Sequence, residues 1–256
     1  MKRLFTVLFA ISLVFVLAAC NAVSGNGTVT TEEYDVSGFN RIEFDGVGDV
    51  VVTVGESESL TITTDENLQE LMKAEVNGDT LNIGQKPNTS IMNPTELLFE
   101  VTVTSLEYVS LSGAGNITIE ALESDSFEVR ISGAGDIILE SLVADIFDVD
   151  VSGAGDLTLD NIEVEEFSLQ ISGAGDIEVS GSADTLEVDI SGAGSFSGFD
   201  LETVTADVNI SGAGSARVNV SDTLDGSISG AGSIRYRGNP DVNVSEDGVG
   251  SVSADN

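Results

Sequence analysis

The chain has 256 residues, 41% of them apolar, enough to build a core, and it contains neither Trp nor His. Its 44 acidic residues stand against 9 basic ones, a surface that repels phosphate and so argues against nucleic-acid binding through a basic patch and against charge-driven docking on anionic lipid headgroups. Without histidine, neither a Ser-His nor a Cys-His nucleophile pair can be assembled.

The first element is "MKRLFTVLFAISLVFVLAAC". Lys2 and Arg3 precede an apolar run from Leu4 to Leu17, and Ala18 and Ala19 precede the one cysteine, Cys20. The run has signal-peptide length and is short for a spanning helix. Leu17-Ala18-Ala19-Cys20 resembles the bacterial lipobox, in which the chain is cut before the cysteine and the thiol then carries a diacylglyceryl group. The expectation is a lipoprotein signal peptide over 1–19 and a lipid on Cys20 that tethers the chain to a membrane through the hydrophobic effect. A flexible tether rich in Gly, Asn, Ser and Thr extends over 20–31. Removing Lys2 and Arg3 leaves a net charge near −37.

Residues 32–100 read as an irregular β region, the N-terminal part or cap of the repeat array downstream. "RIEFDGVGDVVVTV" has the pattern strand, corner, strand, and "SLTITTD" is another strand. Leu68, Leu71 and Met72 fall at helical spacing after Asp65, which predicts a short helix. "VNGDTLNI" carries a hairpin signal at Asn77-Gly78, and "KPNTSIMNP" reads as a loop. A cap is what an open solenoid end requires.

From 101 to 256 the sequence repeats. Ser-Gly-Ala-Gly begins at Ser112, Ser132, Ser152, Ser172, Ser191, Ser211 and Ser229, steps of 20, 20, 20, 19, 20 and 18 residues. Degenerate copies flank the array at Gly46-Val47-Gly48-Asp49 and Gly248-Val249-Gly250-Ser251. Apolar residues alternate with polar ones before each motif (Phe127-Val129-Ile131, Phe147-Val149-Val151) and after it (Ile137-Leu139, Leu157-Leu159). Period two means strands with one buried face, and no repeat holds a crossover helix. Two strands and two bends per repeat, the second bend in stretches such as "NIEVEE", make one rung of an all-β, right-handed parallel β-helix with rungs of about 20 residues. Stacking then puts Phe127 over Phe147 over Phe167. An antiparallel meander would not place identical residues on one another. Pro240 and the acids near it would blunt the last edge.

The glycine motif is not a phosphate loop: no Lys-Ser/Thr comes after it, and the third glycine and the helix of a dinucleotide fingerprint are missing. Its glycines suit a corner, through positive φ and close backbone approach. The serines predict a ladder of hydroxyls bonding along the stack. The residue after each motif forms a column containing Asp136, Asp156 and Asp176. These aspartates either cap backbone N–H groups or, as the alternative, hold a row of calcium ions, calcium being the cation for an oxygen-only site. No cofactor is otherwise called for. No acidic pair stands out as glycosidase machinery.

Gly-Phe-Asn-Arg-Ile at Gly38 to Ile42, Gly46 to Val50, Asp65-Glu66-Asn67-Leu68, the Ser-Gly-Ala-Gly array and "YRGNP" at Tyr236 to Pro240 together resemble a bacterial family, the auto-transporter adhesin head domain or head GIN domain. The resemblance covers about 34–252. It implies a β-helical domain associated with the cell envelope and brings no catalytic residues. The sequence predicts no transporter barrel, because the alternating segments are taken up by the rungs. The resulting expectation is a non-catalytic, extracytoplasmic lipoprotein on the cell surface or a periplasmic face. It would be an adhesin-like or structural module whose partners are the membrane, through its lipid, and a surface glycan or protein. The alternatives are a β-helical enzyme acting on polysaccharide and an envelope-stress sensor or scaffold.

Overall fold

Alternation of apolar and polar residues builds the molecule. In a computed structural model that describes residues 22–255, Phe127, Val129 and Ile131 of the strand Leu122–Ile131 are buried while Arg130 faces solvent. The strand Leu142–Val151 lies on it in parallel register, Phe127 against Phe147, Val129 against Val149 and Ile131 against Val151. Leu157–Ile171 continues the same columns with Phe167, Leu169 and Ile171. Like stacks on like, and the result is a β-solenoid of about 7 turns. The expected signal peptide and Cys20 lie outside the described residues.

Each turn has three strands, not two. After the long face at 146–151 and the Ser-Gly-Ala-Gly corner, a middle face pairs Leu157 with Ile177 and Leu159 with Val179, and a short face pairs Ile162 with Gly181 and Val164 with Ala183. The corners are where alternation fails: Asp160 and Asn161 both face solvent, and so do Glu165 and Glu166. Asn161 takes φ 49° at the first of these, and Gly181 takes φ 127° one turn on. The stretch "NIEVEE", read as one bend, thus holds two corners and the strand between them. Its Ile162 and Val164 close the third side of a triangular core.

The core is continuous along the axis. Phe127 and Phe147 stack with ring centroids 5.7 Å apart, and Phe147 and Phe167 at 5.1 Å. The next residue in that column is Leu186, and the missing ring is replaced from the middle face by Phe196, 6.4 Å from Phe167 and edge-on to it. Phe44 and Phe99 repeat this exchange between faces near the other end, at 5.3 Å.

The cap is assembled out of chain order. Arg41–Asp45 pairs in parallel with Tyr108–Leu111, and Asp49–Val54 with Asn116–Ile119, so the degenerate Gly46-Val47-Gly48 corner is a rung of the same stack. Below it lie Thr80–Gln85 and Leu97–Val103, also parallel. The parallel run then stops. Met72–Asn77 lies antiparallel on Thr80–Gln85, Ser59–Asp65 lies antiparallel on Leu97–Val103, and Val29–Tyr34 lies beyond Ser59–Asp65. Antiparallel strands occupy the open edge that a further rung would otherwise pair with.

Three local expectations change. The short helix shrinks to a single 3-10 turn, Gln69–Leu71, because Met72, Ala74 and Val76 alternate toward the core and pair with the next strand. That hairpin is present, with Asn77 opposite Thr80 and Gly78 at φ 68°. The "KPNTSIMNP" loop contains Ser90–Met92, which pairs in parallel with Ala22–Ser24. From Ala22 onward the segment expected as a flexible tether is therefore tied to the cap, where the Asn67 amide nitrogen donates to the Ser24 carbonyl at 2.9 Å and the Asn67 side-chain oxygen accepts from the Asn26 N–H at 3.0 Å.

Candidate functional site

Two sets of outward side chains recur turn after turn, and the first belongs to the Ser-Gly-Ala-Gly corner. A Cβ at Gly133 would lie 1.9 Å from the Gly113 carbonyl oxygen, and one at Gly135 would lie 1.7 Å from that of Gly115. None of the motif's glycines has φ in the left-handed region, so close approach alone explains them and the positive-φ half of the expectation fails. The N–H groups of Ala134, Ala154 and Ala174 donate to the carbonyls of Gly113, Gly133 and Gly153, each at 3.0 Å. Those donors run along the stack and are unavailable to cradle a phosphate. The serine hydroxyls face solvent instead of forming a ladder. Among the described residues only Ser112 of the seven donates its hydroxyl, to the Phe44 carbonyl at 3.4 Å.

The column after the motif is a chain of side-chain-to-backbone bonds. The Asn116 amide donates to Asp49 at 2.9 Å. The backbone N–H of Asp136 donates to Asn116 at 3.4 Å, that of Asp156 to Asp136 at 3.0 Å, and that of Asp176 to Asp156 at 2.8 Å. The Ser195 hydroxyl ends the run on Asp176 at 2.6 Å. Two carboxylates one strand apart repel by about 1 kcal/mol in water, whereas a hydrogen bond to a charged acceptor contributes roughly 1.5–3 kcal/mol. The caps therefore offset the repulsion they create. Among the described residues no three acidic side chains converge to hold a metal ion.

The second set lines a shallow groove of about 660 Å³ along the short face and its corner. Asp125, Asp145, Glu165 and Asp184 form one edge, Glu123 and Glu163 the other, and Ala144 and Val164 part of the floor. The recurrence of acids at 125, 145 and 165 is visible in the sequence. Their common edge appears only once the third strand is known. All six carboxylates are exposed. A general acid for glycoside cleavage needs a carboxyl kept protonated by burial or by a close like charge; the groove buries none of its carboxyls but sets them one strand apart along an edge.

Two other aspartates have shifted carboxyls. Asp65 is fully buried in the cap, where it accepts the N–H of Thr95 at 2.7 Å, the N–H of Gly27 at 2.6 Å and the Thr95 hydroxyl at 2.9 Å. These donors, the Thr95 N–H foremost, hold its carboxyl below the ordinary carboxylate range against the opposing effect of desolvation. By sequence, Asp65 reads as a helix start and as part of a shared motif, with no sign of its buried partners. On the long face, desolvation and the neighbouring Glu128 and Glu166 push the Asp148 carboxyl up.

A triangular parallel solenoid with corners satisfied by its own backbone and with acidic outer columns defines the class: an acidic β-solenoid repeat domain. The chain belongs to the family described as "Putative auto-transporter adhesin, head GIN domain", which matches residues 38–240. Among solved structures it is similar to a putative adhesin from Parabacteroides merdae, with 26% identity over 92% of this chain and 99% of that one and a TM-score of 0.87. It is similar as well to a putative lipid binding protein from Parabacteroides distasonis (27% identity, 92% and 100% covered, TM-score 0.86) and to a putative adhesin from the same species (26%, 91% and 99%, TM-score 0.84). No curated protein matches the chain by sequence. Family membership suggests an extracytoplasmic or cell-surface protein.

Proposed function

We propose that the chain is a non-catalytic, lipid-anchored envelope module that binds a surface glycan or protein through its flat outer faces. One observation carries this reading: the repeated chemistry of the solenoid is spent on the next turn, the corner N–H groups on glycine carbonyls and the column aspartates on backbone N–H groups. What is left for a partner is the set of flat rows on the outside. The adhesin names of the family and of two solved relatives support the same reading. On it, residues 1–19 are removed and Cys20 carries the lipid. Cys20 stands two residues before a strand tied into the cap, so the cap faces the membrane. The solenoid would project about 34 Å beyond it, at about 4.8 Å per turn.

A polysaccharide-active enzyme is the second reading, favoured by the acidic groove on the short face. One experiment separates the two. The full chain, purified in detergent, is applied to a glycan array and, in parallel, assayed for release of reducing sugar from the glycans it binds. Binding without release is expected, and release overturns the proposal. A Cys20→Ala chain should leave the membrane fraction, and its retention there would remove the lipid anchor.

A further inference from the structure

Basic residues are scarce, and the fold accounts for four of the seven it describes; Lys73, on the cap strand Met72–Asn77, has no ion-pair partner among the described residues. Arg41 lies over the Tyr108 ring, 3.9 Å from its centroid, and Arg130 lies 5.8 Å from the same ring while pairing with Glu128 at 2.7 Å. The Lys86 ammonium donates to the Glu70 carbonyl at 2.6 Å. Three arginines gather at the far end of the solenoid from the cap. Arg217 and Arg235 are in register on adjacent strands of the middle face, and Arg237 is two residues along from Arg235. Arg237 is held in place, its guanidinium 4.0 Å from the Phe199 ring centroid and 3.5 Å from Asp255. Arg217 and Arg235 are exposed and have no ion-pair partner among the described residues.

In a chain with 44 acids that arrangement needs an explanation, because like charges directly opposite one another on neighbouring strands are destabilising. A carboxylate at any flanking outward position would relieve it. The fold places Ser197 below the pair, Ser253 above it, and Ser215, Asn219, Ser233 and Arg237, whose own charge is paired with Asp255, beside it. Two uncompensated guanidinium groups therefore stand on a flat patch of hydroxyls and an amide.

We propose that Arg217 and Arg235 form an anion-binding site for the charged substituent, sulfate or carboxylate, of an acidic glycan. Guanidinium groups match the oxygens of both anions in paired hydrogen bonds, and the surrounding serines and Asn219 offer partners to sugar hydroxyls. The patch stands at the end remote from the cap, away from a membrane holding Cys20. Two adjacent unpaired cations on a molecule of net charge −35 do not suit the closely spaced phosphates of a nucleic acid. Asp176 and Glu178 stand lower on the same face, with Ser197 between Glu178 and Arg217. At physiological salt the Debye length is about 8 Å, so the arginines act at contact range while these acids, two strands away, are largely screened. The inference deepens the glycan-binding reading and rests on it.

The test measures binding of three oligosaccharides, one sulfated, one of uronic acids and one uncharged, to the full chain in detergent at physiological salt. The proteins are the wild type, Arg217→Gln, Arg217→Ala/Arg235→Ala, and Arg130→Ala as a control on the long face. At least one acidic oligosaccharide should bind the wild type and the control equally. Its affinity should fall roughly tenfold or more in the double variant and partway in Arg217→Gln, in line with the loss of charge-assisted paired hydrogen bonds. The double variant should keep a cooperative melting transition, since both side chains are exposed and removing them relieves a like-charge contact while adding to the net negative charge. Undiminished binding by the double variant overturns the site, as does binding of the uncharged oligosaccharide alone, and in that last case the glycan-binding reading stands. If the wild type binds none of the three, both fall.

Discussion

A glycine is commonly explained by its φ, and for the seven repeated corners that explanation is wrong. Gly155 has an ordinary φ, but a Cβ there would lie 1.9 Å from the Gly135 carbonyl oxygen. The constraint comes from the neighbouring turn, which is why the motif survives at a fixed spacing while the residues around it vary. Gly155→Ala should lower stability by about 1–3 kcal/mol, the range for overpacking that forces the backbone to shift. Ala154→Ser, at an exposed position of the same corner, should change it by less than about 0.5 kcal/mol. Urea unfolding followed by circular dichroism gives both numbers, and equal effects would mean that corner stacking does not limit stability.

Among the elements, the cap depends most on a single buried group. Asp65 joins the segment at Gly27 to the one at Thr95, so its carboxylate holds three stretches of chain together. Its folded pKa is lowered. Its contribution is therefore fully present above the unfolded value, about 3.9, and is lost as pH falls through the lower folded value. Asp148 has the opposite sign. Its raised pKa costs stability above that value, and the cost is relieved on acidification. Asp65→Asn should be less stable than the wild type at pH 7, because an amide N–H would face the Thr95 N–H. The difference should narrow as the pH drops below about 4. A gap of constant size between pH 7 and pH 3, measured by urea midpoint, would show that the charge of Asp65 is not what holds the cap. The 3-10 turn that replaces the expected helix arises in the same region. Leu68 is buried and the Gln69 amide donates to the Thr30 and Ile62 carbonyls at 2.9 and 3.0 Å, so these residues bind the cap strands instead of extending a helix.

For the whole molecule, the dominant long-range effect is self-repulsion from a net charge of −35. Sodium chloride should raise the melting temperature between low and physiological ionic strength by screening it. Calcium chloride at equal ionic strength should give the same rise, since Asp136 and Asp156 each already commit an oxygen to the next turn. A clear excess with calcium, growing with its concentration, would identify a bound ion and favour the alternative reading of that column, a calcium row.

The repeat spacing, the alternation and the small residues of the corner determined a parallel stack with Phe127, Phe147 and Phe167 in one column, because each of these is a local pattern copied every turn. The third strand was present in the sequence as Leu122, Leu142 and Ile162 at intervals of 20 residues, but with only two inward positions per turn it reads as part of a bend. The repeat register also stacks Arg217 on Arg235, each six residues after its Ser-Gly-Ala-Gly serine. The tertiary structure alone decided the rest. Nothing local tells that Thr80–Gln85 passes beneath Arg41–Asp45 or that Asp65 reaches Gly27 and Thr95. Those relations join residues that are neighbours only after the chain has wound, so they depend on how turns and cap strands pair and not on any stretch of sequence read by itself.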